Sequence, residues 1–179
     1  ACPPLDDSDQ TIPVVAPDAQ WELVYGIPTP TAEAVGPART DPVRSCFART
    51  PSGALLASFN FLTTLNAVST GSIEDLDEYR RVVLSLTADT TGQGRYSTLL
   101  SQAAEQDVQG LAGTVTPVAY QFIDYTGGTA QVAVVSDTTL VDSGDSVLLR
   151  LDVSLRWDAD SSDWRAIVPE SGRPTDLFS

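Results

Sequence analysis

The chain contains no histidine, no lysine and no methionine. Without histidine, Ser-His-Asp and Cys-His nucleophilic catalysis are excluded, and the commonest general base and commonest zinc ligand go with them. Without lysine there is neither Schiff-base chemistry nor a P-loop. Any catalysis would fall to carboxylates, tyrosines or arginines. No apolar run approaches the ~18 residues that carry a helix across a bilayer. The missing methionine, position 1 included, puts the start of this chain after a removed segment, and a signal peptide or an N-terminal membrane anchor is the expectation. The basic residues are all arginine, and heavy use of Ala, Val, Gly, Pro, Asp and Arg fits a GC-rich coding genome.

What is present is acidic and foldable. The 179 residues are 42% hydrophobic and carry a formal charge of −14, which suits one domain with a sizeable core. A nucleic-acid binder needs a basic footprint to displace counterions from phosphates, and the arginines cluster no further than Arg80-Arg81. Direct nucleic-acid binding is not expected, and an anionic membrane surface would repel the chain. Two cysteines remain, Cys2 and Cys46. In an exported chain they read as one disulfide, a constraint of roughly 4 kcal/mol in the chain-entropy model. The competing reading is a lipidated Cys2, which would leave Cys46 unpaired.

Pro3, Pro4, Pro13, Pro17, Pro28, Pro30, Pro37, Pro42 and Pro51 are nine of the twelve prolines. Residues 1–49 therefore read as a proline-rich extended arm, with one short strand at Trp21–Tyr25 and Trp21 packing the arm down. Thr50-Pro51 is a helix start, Ala54 to Val68 keep helical spacing, and Gly71 is read as the stop. A second helix is predicted from Ser72, with Asp75 in a capping-box spacing, and a third over about Tyr96 to Gln109. The period then changes to two. Val115–Tyr125, Thr129–Val141, Ser146–Trp157 and Trp164–Val168 read as four strands, and Val147, Leu149, Leu151, Val153, Leu155 and Trp157 mark one buried face. The prediction is α+β: three N-terminal helices packed on a curved four-stranded antiparallel sheet over residues 50–170, followed by a tail, residues 171–179.

That element order resembles the NTF2-like superfamily, and more narrowly the VirB8-like and TcpC-like extracytoplasmic domains of conjugation and type IV secretion machines. Gly36-Pro37, the run Cys46-Phe-Ala-Arg-Thr-Pro-Ser-Gly-Ala-Leu-Leu-Ala57, Val118-Ala-Tyr-Gln-Phe-Ile-Asp-Tyr125, Trp157 and Asp163-Trp164-Arg165 also look like an uncharacterised group of actinobacterial exported domains. The resemblance implies an NTF2-like cone and a membrane-anchored or secreted assembly component.

The carboxylates have simple structural explanations. Asp158-Ala-Asp160-Ser-Ser-Asp163 lacks the glycine and the bidentate glutamate of a calcium loop, and reads as a solvated hairpin turn; Asp137, Asp142 and Asp145 read likewise. Glu74, Asp75, Asp77 and Glu78 suit the start of a helix, and Asp77 can pair with Arg80 or Arg81. Tyr120, Phe122 and Asp124 share a strand face, where Tyr and Asp could abstract a proton beside a carbonyl; core aromatics are the simpler reading. Arg165 beside Trp164 suggests a cation–π or carboxylate contact. The expectation is a non-enzymatic interaction domain outside the cytoplasmic membrane, with no catalytic, cofactor-binding or metal residues and no cofactor. Its partners would be other membrane or secretion-apparatus proteins or further copies of itself, and it would reach the membrane only through a removed N-terminal anchor or signal. Trp21, Tyr25, Phe47 and Arg49 are the candidate arm anchors or contact residues. The alternative is an exported small-molecule binder using an NTF2-like pocket.

Overall fold

A computed structural model describes residues 1–88, 97–98 and 112–167. Six strands and two helices follow one another as β1 (Gln20–Val24), β2 (Ile27–Thr31), α1 (Pro51–Asn66), α2 (Leu76–Ser85), β3 (Ala112–Tyr125), β4 (Thr129–Leu140), β5 (Ser146–Asp158) and β6 (Asp163–Ile167). They form two antiparallel sheets, β1-β2 and β3-β4-β5-β6. The expected three helices on a single four-stranded sheet, the NTF2-like cone, are thereby corrected. Among the described residues the fold is mainly β with two helices, and the arm contributes a sheet of its own. The predicted third helix, apart from Ser97 and Thr98, falls outside the described residues.

The physical reason for the missed strand is the placement of its prolines. In the β1-β2 register, Trp21 faces Pro30 and Leu23 faces Pro28, while Gln20, Glu22 and Val24 face Thr31, Thr29 and Ile27. Proline has no N–H, so the cross-strand bonds fall on the other three pairs. Pro28 and Pro30 turn their backbone away from β1, and the Pro30 carbonyl accepts from Asn60 Nδ2 on α1 at 3.3 Å. Tyr25 and Gly26 close the hairpin with φ of 52° and 75°, the pair of positive values that a type I′ turn requires.

α1 begins where the sequence suggests: Thr50 is the N-cap, its hydroxyl accepting from the Gly53 N–H. The helix ends at Asn66, before Gly71, and is buried on nearly all sides. A helix apolar all round belongs in the core. Its polar residues are satisfied locally: Ser58 donates to Ala54 O and Thr64 to Asn60 O, while Thr63 meets Thr29 at 2.8 Å. α2 is capped by Asp75, whose carboxylate accepts from the N–H groups of Asp77 and Glu78. Leu151, Val153 and Leu155 of β5 and Val132 and Val134 of β4 line the inner face of the larger sheet against α1. No helix among the described residues is long and apolar enough to cross a membrane.

Candidate interaction surface

The arm is fastened to the end of the larger sheet by one carboxylate. Asp163 opens β6 and is 1% exposed. Its Oδ2 accepts from the Cys46 N–H, and its Oδ1 from those of Phe47 and Trp164, each at 2.9 Å. The Trp164 indole N–H donates to the Ala48 carbonyl at 2.9 Å. The sulfurs of Cys2 and Cys46 lie 1.99 Å apart, at disulfide distance, and the Cys2 N–H donates to Ser161 O. Cys2, Cys46 and Asp163 place potential metal ligand atoms within 4.8 Å of one another. Sulfurs bonded to each other, beside a carboxylate whose oxygens already accept three N–H bonds, form a clasp.

Burial pushes the Asp163 carboxyl above its ordinary value, outweighing the N–H donors of Cys46, Phe47 and Trp164 and the nearby Arg165, which pull it down. A carboxyl raised in the folded state binds its proton more tightly there than when unfolded. Its contribution to stability is complete below the ordinary value and is lost as pH rises through the raised one. The stability gap between wild type and Asp163→Asn should shift in favour of wild type as pH is lowered from 7 towards 4. Urea denaturation across that range measures it, and a gap moving the other way would refute the assignment.

Beyond the clasp the arm is tied along the aromatic residues of β3. Arg49 N–H donates to Asp7 Oδ1 at 2.7 Å, and Gln10 Nε2 to Arg49 O at 2.8 Å. The Tyr125 hydroxyl donates to Gln10 Oε1 at 2.8 Å. The Tyr120 hydroxyl sits between the carbonyls of Pro13 and Val15, at 3.2 and 2.9 Å. Burial raises the pKa of both phenols, which keeps each one a donor. Arg49 also lies over the Trp157 ring at 5.6 Å and donates to Gly127 O. Of the two contacts expected of Arg165, the carboxylate one is present, with Asp158 at 4.0 Å, and Arg165 also donates to Ser161 Oγ and Ser85 O; the cation–π contact is made by Arg49 instead.

The result is a presented surface. A row of edge-to-face rings runs Trp21–Phe59–Tyr120–Phe122, with centroids 6.1, 6.4 and 6.2 Å apart. At one end of this row stand Trp21, 53% exposed, and Leu23, 75% exposed; on the arm held by Tyr120 stand Val14 at 95% and Val15 at 75%. Glu22 between the first two is paired with Arg44 at 2.7 Å, and Arg44 Nε donates to Asn60 Oδ1 on α1 at 2.7 Å. That network pins the hairpin to the core.

Of the residues singled out in the sequence, Phe47 is core and Arg49 an arm anchor; Tyr25 is in the turn, and Trp21 packs on Phe59 while remaining half exposed. Tyr120 and Phe122 are partly buried against the core, whereas Asp124 is exposed. Asp142 and Asp145 lie exposed around the β4–β5 turn, Asp137 accepts from Ser146, and Asp77 pairs with Arg80 at 3.0 Å. Asp158 and Asp160 remain at the turn surface. Asp163, read as part of the same solvated turn, is instead buried. Between α1 and the sheet, beside Arg44, Asn60, Asp163 and Trp164, a cavity of about 10 Å³ remains. That is room for about one water, against the several hundred Å³ that hold a small organic ligand.

A family model described as "Domain of unknown function (DUF8175)" matches residues 1–177. No curated protein and no solved structure matches the chain.

Proposed function

We propose that this chain, which belongs to the DUF8175 family, is an assembly domain working outside the cytoplasmic membrane, where it joins other envelope proteins without catalysing a reaction. The observation that carries this reading is the exposure of two apolar pairs, Val14 and Val15 on the arm and Trp21 and Leu23 on the hairpin, both segments being otherwise fastened to the core. Large apolar side chains kept in solvent mark candidate protein–protein contact sites. An extracytoplasmic setting is supported by the cysteine pair, since disulfides persist in oxidising compartments. A conjugation or secretion apparatus is the setting suggested by the VirB8-like resemblance, and it is part of the proposal.

The test is crosslinking of the protein in the cell that makes it, followed by mass spectrometry of crosslinked peptides. Envelope proteins joined through residues 12–24 are the expected result. Recovery of the protein with no partner, or of partners joined only elsewhere on the chain, would overturn the reading as stated.

A further inference from the structure

We propose that the outer edge of β1 receives a third strand, an extended and net-positive segment of a partner protein, paired main chain to main chain with Trp21 and Leu23. This deepens the assembly reading and rests on it.

The hairpin register decides which groups point outward. Because Pro28 and Pro30 cannot donate, the bonds between β1 and β2 fall on Gln20, Glu22 and Val24. The N–H and C=O groups of Trp21 and Leu23 therefore face away from β2, and among the described residues no backbone bond outside the hairpin engages them. Sheet edges are ordinarily blunted by proline, bulges, charge or a covering segment. The other edges here are so treated. Pro28 and Pro30 remove the donors from the far side of β2, which faces α1. β3 carries Pro117 and three register shifts. β6 is covered by the segment running through Thr87, with Ala88 N–H donating to Ala166 O and Ala166 N–H to Leu86 O. β1 has no proline, no bulge and no cation, and its single acid, Glu22, is paired with Arg44. Among the described residues, what remains is an unprotected template with two apolar side chains, Trp21 and Leu23, on one face.

Charge selects the occupant. The chain carries −14, a field that attracts cationic segments and repels a second copy. A two-fold pairing of β1 with itself that sets Trp21 against Leu23 would also put Glu22 opposite Glu22, an unfavourable cross-strand pair. A strand bearing arginine or lysine between apolar residues meets neither obstacle. Such strand addition draws affinity from main-chain bonds and selectivity from alternate side chains.

The test repeats the in-cell crosslinking with Leu23→Pro and Leu23→Ala. Proline at this position removes one outward N–H and none of the bonds to β2, so the melting temperature should stay within a few degrees of wild type. Because the main chain carries the contact, crosslinked partner should fall about tenfold or more with Leu23→Pro and no more than about threefold with Leu23→Ala. The crosslinked partner peptide should be net positive, and its yield should drop with added salt. Equal losses for the two variants would show a side-chain patch and overturn strand addition while the assembly reading stands. Unchanged capture in both, or a crosslink to β1 of a second copy, would also overturn it. No partner with the wild-type chain would fail the assembly reading itself, and this inference with it.

Discussion

Gly53→Ala is expected to cost about 3 kcal/mol or more, near the upper end of overpacking effects, even though alanine is the better helix former by about 1 kcal/mol. A Cβ at Gly53 would lie 1.9 Å from the Ala48 carbonyl oxygen and 2.8 Å from its carbon. That carbonyl cannot readily give way. It accepts from the Trp164 indole and from the Thr50 N–H, and Ala48 N–H is itself bonded to Val35 O. The one residue thus sits where the arm, the first turn of α1 and the final hairpin meet. Urea denaturation of the two proteins provides the measurement. A variant as stable as wild type, or more stable, would mean that α1 does not approach residue 48 this closely.

Opening the Cys2–Cys46 link should have an effect of similar size. The two residues are 44 apart in sequence, and closing a loop of that length removes about 4 kcal/mol of unfolded-state entropy in the chain-entropy model. The double variant Cys2→Ser, Cys46→Ser should lose most of this, with residues 2–15 exchanging their amide hydrogens before the body of the protein does. That order follows from the anchors. Cys2 and Asp7 hold by single backbone-linked bonds and Gln10 by exposed ones, whereas Cys46 and Phe47 remain gripped by Asp163. Wild type under reducing conditions should behave as the double variant does. Equal stability in oxidised and reduced states would remove the clasp from the account.

The middle of β5 and the start of α1 are legible in the sequence, whereas β2 and Asp163 are not. The middle of β5 is legible because its period of two reports directly that one face is buried: Leu151, Val153 and Leu155 are buried and Asp152 and Arg156 are not, whereas Leu149, read on the same face, is exposed and Val147 and Trp157 are partly buried. The start of α1 is legible because Thr50-Pro51 satisfies a local requirement within four residues. β2 is not, because Pro28 and Pro30 read as strand breakers until the register shows that their missing donors face α1 rather than β1. Asp163 is not, because its neighbours in the turn are solvated and its partners Cys46 and Phe47 lie more than a hundred residues away in sequence. The one sequence signal for it was the junction Asp163-Trp164, a carboxylate placed directly before a core aromatic. For the interaction surface, Trp21 was visible as an aromatic in an otherwise proline-rich arm. The exposure of Val14, Val15 and Leu23 depends on how the arm is tied down, and no local pattern encodes that.

The most direct measurement is amide hydrogen exchange on the protein free and in the complex recovered from its own cells, read over the peptides that cover Gln20–Val24. Exchange should slow at Trp21 and Leu23, whose N–H groups face outward, with little change at Glu22, already bonded to Thr29, and none over Ser146–Asp158. Protection confined to another face, or no change at Trp21 and Leu23, would contradict docking at the β1 edge.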